Sequence, residues 1–422
     1  MSEMFSMSAP GSAAAPPCIN REQKALRAGF IPLMDASILI VAAELGFADK
    51  EGLRLDLVRD VSWANVRDRL AFRQFDIAHM LSPMPVASML GLGSNPSPTI
   101  TPFSLGRGGN AITLSARIFE RMQALTGLPD DASALANAEA LAAVIADMRA
   151  RDEAMPTLGM TYPFSSHNYE FRYWLAAGGI DPDRDVKLVV VPPPLTSDAL
   201  AAGAIDGFCV GAPWNMVASE RGTGRIVAAK QDIWPLAPEK VIGLRPEWAE
   251  ANADTVSRLI VALDRAARWC EEPGNHDELA EILSSAPYIQ APRDIIRRVL
   301  NGEFNLDAQG NKRIIPDYFL FHRGAANYPR PEQALWIYSQ MMRWGQTGFS
   351  DEDRARAGSA YRPDLYRNAL GAQASVPDPA EEAAMLSNFM DGQVFDPTQM
   401  QDYVARFPVK TDAAPPLAAH DA

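Results

Sequence analysis

Cysteine is scarce in this chain: three residues, Cys18, Cys209 and Cys270, in 422. Odd in number and far apart, they supply neither a disulfide framework nor a metal-ligand spacing. Histidine is scarce too, and the five residues at 79, 167, 276, 322 and 420 share no ligand spacing. Positive charge is in deficit, with 39 Lys and Arg against 52 Asp and Glu and a formal net charge of −13. That balance excludes a nucleic-acid surface, which needs a basic face. It also sets an unfavourable mean field for a small anion, so any anion site has to rest on local donors and one or two nearby cations. No run of about 18 apolar residues occurs, so nothing reads as a transmembrane helix. Catalytic signatures of fixed spacing are missing: no GxSxG elbow, no phosphate loop ending in GK[ST], no HExxH, no GxGxxG opening a helix. The start, MSEMFSMSAPGSAAAPPC, has neither a basic region followed by an apolar core nor a twin arginine. The expectation is therefore a cytoplasmic protein, provided that Met1 is the true start.

What is present is the composition of a globular chain, 47% apolar and 22% charged, too long for one core. Strands alternate with helices of 10–15 residues, the pattern of an α/β protein. AGFIPL, LRLDLVRDV and IAHMLSP read as strands, and ASILIVAAELGFADKEG as a helix closed by Gly52. Residues 1–20, rich in Ser, Ala and Pro, read as a disordered start. Residues 21–114 together with 240–280 read as a discontinuous first lobe, because KVIGLRPE looks like a strand returning to it. Residues 115–239 read as a second lobe, 281–407 as a helical extension, and 408–422 as a disordered tail.

Polar residues at strand-to-helix junctions are the informative part. In VSWANVRDRLAFRQF, a helix over about residues 65–72 follows Trp63, with Asn65 read as its cap. A tryptophan in that place suits the core, and it equally suits the wall of a small-ligand cleft beside free helical N–H groups. His79, inside an apolar strand, reads as a satisfied structural histidine. PFSSHNYEFRYW offers Ser165 and Ser166 as N-caps with Glu170 completing the capping arrangement. That accounts for the serines and leaves His167 in the first turn, facing outward. Pro192–Pro194 stop the next strand in a rigid bend. Lys240, at the start of a strand, is either a solvated strand end or the partner of an anion.

Taken together, SWANVRDRL, DIAHMLSPMP, GNAITLS, FSSHNYEFRYWLAAGGIDPDRDV, VVVPPP and DGFCVGAPWN resemble the nitrate- and bicarbonate-binding (NrtA/CmpA-like) branch of substrate-binding proteins. They occur in order over residues 27–250, and ANYPRPEQALWIYSQMMRWGQ carries the likeness to 346. The resemblance implies an α/β, two-lobed periplasmic-binding-protein-like (type II) fold with crossover strands, followed here by the helical extension. It implies a binding protein rather than an enzyme, with an anion held between the lobes. By the same resemblance Trp63 walls the cleft, Asn110 donates its amide to the anion, and His167 faces it from the second lobe. Pro193 is the bend opposite, and Lys240 is the cation. One departure stands out: GAPWN has Ala212 where members commonly read GEPWN, which removes a carboxylate near the cleft. Nitrate only accepts hydrogen bonds, so its site should offer donors and no carboxylate. Bicarbonate binders of the branch use calcium, which needs several oxygen ligands. Glu239 is the one acid near the assigned residues, so nitrate or nitrite is the expected ligand, with no metal or other cofactor.

Combined with the absence of an export signal, the pattern is similar to the cytoplasmic nitrate/nitrite sensors of NasS type. The resemblance implies a partner, an RNA-binding ANTAR-type antiterminator (NasT type), that nitrate or nitrite releases. It also implies no direct contact with nucleic acid or membrane. Two other readings stay open: the solute-binding component of an ABC-type nitrate or bicarbonate transporter with an upstream start, and a thiamine-pyrimidine-synthase-like enzyme. The second needs a cysteine-rich iron site, which three scattered cysteines do not supply.

Overall fold

The computed structural model describes residues 23–95 and 97–411. Residues 1–20, Cys18 among them, and most of the expected tail lie outside the described residues. Within the tail, Thr411 is tied down, its N–H donating to the Arg343 carbonyl and its hydroxyl to Asp183.

The first lobe is built on short apolar segments separated by helices. β1 (Lys24–Phe30) lies between β2 (Leu53–Arg59) and β3 (Ile77–Leu81), parallel to both. All five residues of β3 are buried, which explains a continuous apolar run rather than an alternating one. The chain then passes through β4 (Arg107–Gly108) into the second lobe. Its five strands are β5 (Asn110–Ser115), β6 (Thr157–Met160), β7 (Lys187–Val190), β8 (Gly207–Gly211) and β9 (Gly224–Ala229), arranged β7-β6-β8-β5-β9. β6 runs parallel to β7 and β8, whereas β5 runs antiparallel to β8 and β9. β10 (Lys240–Gly243) returns to the first sheet as the expected crossover strand and pairs antiparallel with β3, Lys240 opposite Leu81 and Ile242 opposite His79.

Two expectations need correction. The boundary placed after residue 114 cuts through the neighbourhood of a strand of the second sheet: β5 starts at Asn110, so the first crossing lies in the glycine run at 106–109. Gly106, Gly108 and Gly109 all have positive φ, and a Cβ on Gly108 would run into the Tyr318 carbonyl. Only glycine lets the chain pass there. The extension is not purely helical either. It contains a hairpin of β11 (Glu303–Asn305) and β12 (Lys312–Ile314), and β13 (Phe319–Leu320) pairs with β4.

The extension seats on both lobes. Tyr361 donates its hydroxyl to the Ser82 carbonyl of the first (3.1 Å). On the second, Gln346 Oε1 accepts from Tyr169 (2.6 Å) and Trp336 packs 4.4 Å from Trp234. Among the described residues no helix is long and apolar enough to cross a membrane.

Candidate functional site

Where the two lobes meet, six elements deliver polar side chains to one buried point. A single 3-10 turn at Met34–Ala36, directly after β1, presents Asp35, and β3 presents His79. β5 opens with Asn110. The helix Ser166–Ala177 presents Ser166 and His167 in its first turn and Glu170 one turn on. Lys230 starts a short helix after β9, and Glu239 and Lys240 form the crossover into β10. Every one of these side chains is buried.

The local reasons are specific. Ser165, not Ser166, caps the helix, accepting from Asn168 N–H (2.9 Å). Its capping fixes the first turn, so Ser166 and His167 point into the junction. His79 Nδ1 accepts from Ile31 N–H (3.3 Å), which leaves the ring proton on Nε2, 2.9 Å from Asp35 Oδ1. Asp35 Oδ2 in turn accepts from Lys240 Nζ (2.7 Å). Gly211 makes room, since a Cβ there would lie 3.2 Å from Asp35 Oδ2. Ala212 joins the lobes through its backbone, donating to the Gly109 carbonyl (2.7 Å) and accepting from Met34 N–H (3.1 Å).

Glu239 is the hub. Its carboxylate accepts from Lys230 Nζ (2.6 Å), Ser166 Oγ (2.7 Å), Asn110 Nδ2 (2.5 Å) and Lys240 Nζ, and His167 Nε2 stands 3.4 Å away. Glu170 lies beside it and shares two of those donors, Lys230 Nζ (2.9 Å) and Asn110 Nδ2 (3.0 Å). Trp63 stands over the first-lobe side. Its ring meets His79 edge-on at 5.2 Å and lies 5.6 Å from Lys240 Nζ.

Burial and charge pull these groups in opposite directions. Burial alone would raise the Glu239 carboxyl, but Lys230 and Lys240 outweigh it and hold the group well below the usual carboxylate range. Asp35 is likewise held low, burial being outweighed by Lys240 and His79. Lys240 is raised above its ordinary value because Asp35 and Glu239 overcome its desolvation. Glu170 goes the other way: burial outweighs Lys230 and pushes it up to about 6. Burial, with help from Lys240, drives His167 down to about 3, so its ring is neutral near pH 7.

Four of the five residues singled out in the sequence meet here: Trp63, Asn110, His167 and Lys240. Pro193 makes no hydrogen bond to them among the described residues; it opens a 3-10 turn and its carbonyl accepts from Thr196 Oγ1 (2.8 Å). Several readings are corrected. His167 does not face outward but is fully buried, with Nδ1 hydrogen-bonded to Thr161 Oγ1 (2.8 Å). Glu170 caps nothing and belongs to the charge cluster. The helix at Trp63 is capped by Ser62, which accepts from Asn65 N–H (3.2 Å), while the Asn65 amide donates to Asp60 (3.1 Å). His79 is structural, as read, and it also anchors Asp35. The expectation of a site without carboxylates fails most clearly, because Asp35, Glu170 and Glu239 all converge there.

Sequence reasoning missed Asp35, Glu170 and Lys230. A usable signal existed: each is a charge that interrupts a largely apolar or aromatic stretch, in PLMDAS, NYEFRYW and IVAAKQDIW. Charges in such runs are buried only when paired. A separate cavity of about 710 Å³ lies between β9, the β11–β12 hairpin and residues 130–137, and none of its lining residues belongs to the cluster.

The sequence profile of the NMT1-like family matches residues 20–284. The nitrate/nitrite binding protein NrtA of Synechococcus elongatus is 32% identical over 396 residues, covering 91% of this chain and 86% of that protein. The nitrate import ATP-binding protein NrtC of Synechocystis is 35% identical over 390 residues, 91% of this chain but 55% of its own length, so the chain spans about half of that relative. The crystal structure of the periplasmic nitrate-binding protein NrtA from Synechocystis superposes with a TM-score of 0.82 at 27% identity, covering 92% of this chain and 99% of that one. The two-lobed periplasmic-binding-protein-like α/β fold expected from the sequence is therefore the fold observed.

Proposed function

This chain belongs to the NMT1-like family, and on that premise we propose that it binds a small planar oxyanion, nitrate or nitrite, at the lobe junction. One observation carries the reading: four hydrogen-bond donors, two of them lysine ammoniums, converge on one flat carboxylate, that of Glu239. A carboxylate and a nitrate are both trigonal, delocalised and acceptor-only, so a donor set that fits one fits the other. Two further groups support it. Trp63 Nε1 and His167 Nε2 are buried without a hydrogen bond among the described residues, and buried polar atoms ordinarily have partners. The lysines counterbalance the carboxylates that a calcium ion would need, which favours nitrate or nitrite over calcium-dependent bicarbonate.

A ligand of four heavy atoms gains at most about 6 kcal/mol by the ceiling for very small ligands, or tens of micromolar. Tighter binding needs lobes that close and exclude water. We read that closure as a signal: the protein is a cytoplasmic nitrate/nitrite sensor whose ligand-free form holds an RNA-binding antiterminator of ANTAR type. Ligand must then favour one lobe arrangement and the partner the other. The net charge of −13 suits a basic partner and contact with neither RNA nor membrane. Likeness to an ATP-binding import protein favours a second reading, the solute-binding component of a transporter, at the same site. No catalytic role is proposed, in keeping with relatives named as nitrate-binding proteins.

Calorimetry with nitrate, nitrite, and bicarbonate with and without calcium tests the ligand. Nitrate and nitrite should bind without metal, and bicarbonate binding alone would reverse the assignment. A pull-down from the source cytoplasm tests the sensor role: a small RNA-binding protein should co-purify and be eluted by millimolar nitrate. If nothing co-purifies, the transporter reading takes its place.

A further inference from the structure

The donor set at the lobe junction is already in use, and by a charged group of the protein itself. Lys230 Nζ spends its protons on Glu239, Glu170 and the Pro238 carbonyl (2.9 Å). Lys240 Nζ serves Asp35 and Glu239, and the Asn110 amide serves Glu170 and Glu239. Asp35, Glu170 and Glu239 carry three negative charges against two positive ones, while His79 and His167 are pushed toward their neutral forms by burial. Among the described residues, the other groups facing the two glutamates are neutral near pH 7: Asn110 from β5, Ser166 from the helix, Cys209 from β8 and Tyr318 from the extension. Burial raises the thiol and the phenol well above their ordinary values. An anion arriving here meets a buried cluster with one excess negative charge and donors that it must share with Glu239.

We propose that the external anion enters together with one proton, which the Glu170–Glu239 carboxylate pair takes from solvent. The inference rests on the reading of the junction as an anion site. Geometry selects the pair: its two carboxylates share both Lys230 Nζ and Asn110 Nδ2, so they compete for the same counter-charge. When the ligand claims part of that counter-charge, two adjacent carboxylates cannot both remain ionised. One proton restores the charge the cluster had before binding. Glu170 is the more readily protonated member, since burial already pushes it up to about 6. Glu239 thus acts as a built-in competitor, and the ligand is admitted as a neutral acid equivalent, anion plus proton.

Nitrate is the right probe because it stays an anion across the whole working range, so any proton counted belongs to the protein. Wild-type protein is titrated with nitrate by calorimetry at pH 6, 7 and 8, each in two buffers of different ionisation enthalpy. Between pH 7 and 8 uptake should be close to one proton per nitrate, and affinity should fall about tenfold per pH unit. Below pH 6 the slope should flatten as Glu170 becomes protonated in advance. Glu170→Gln, which keeps the side chain's shape and removes the charge, should bind at pH 8 as the wild type does at pH 6, with no proton uptake. Nitrate binding with pH-independent affinity and no uptake in the wild type overturns the inference and leaves the anion reading intact. Absence of nitrate and nitrite binding at every pH overturns the anion reading, and the inference falls with it. If Glu170→Gln does not fold, the wild-type proton count decides alone.

Discussion

Lys240 and Glu239 are neighbours in sequence that point into the same buried junction, and each is satisfied by partners far away in the chain. Removing one leaves the others uncompensated. Lys240→Ala strips Asp35 and Glu239 of a shared cation and should cost about 3–5 kcal/mol of stability, the usual price of breaking a buried pair. Urea unfolding measures that loss, and calorimetry should show nitrate affinity lowered at least tenfold in whatever remains folded. Trp63 makes a finer probe. Trp63→Phe keeps an aromatic face beside His79 and removes the unpartnered Nε1, so the tryptophan fluorescence change on adding nitrate should shrink. Persistence of the full wild-type change would take Trp63 away from the ligand.

At the scale of elements, the helix Ser166–Ala177 carries three members of the cluster, and a single cap sets its start. Ser165 Oγ accepts from Asn168 N–H and donates to the Tyr162 carbonyl (2.6 Å). Ser165→Ala should cost about 1 kcal/mol in urea unfolding, as lost N-caps do, and weaken nitrate binding because His167 rides on the freed turn. Most elements were legible in the sequence, since hydrophobic period and turn residues are local signals: β2, β3 and the helix at 166–177 lie where their patterns put them. The first lobe boundary was less so. Asn110 looked like the end of one lobe because GNAITLS follows its neighbours smoothly, and only pairing with β8 and β9 assigns the strand to the second sheet. The β11–β12 hairpin escaped notice for a related reason: strands of three residues are too short to show a period.

For the molecule as a whole, the cluster links stability to pH. His167 is held neutral at about 3 against an ordinary 6.5, so the unfolded chain takes up a proton that the folded one refuses as pH falls from 6.5. Stability is lost over that range. Glu239 and Asp35, held low, add to the loss as pH falls through and below the ordinary carboxylate range. Glu170 opposes them, because a carboxyl raised to about 6 loses stability as pH rises from 4.5 to 6. The shift of His167 is the larger, so urea midpoints should be lower at pH 4 than at pH 6.5, with the shallowest slope between pH 6 and 4.5 where the two oppose each other. A midpoint that rose toward pH 4 would mean that Glu170 dominates.

The sequence by itself determined the alternation of strands and helices, the return of the chain at Lys240, and four residues of the junction. These follow from signals read within a few residues or from motifs in a fixed order. Tertiary structure alone decided what surrounds those four. Asp35 and Lys240 are 205 positions apart, and Glu239 meets Asn110 across 129. No local pattern encodes such pairings, so an isolated acid in an apolar run can announce that it is buried, and only the fold says which cation it meets.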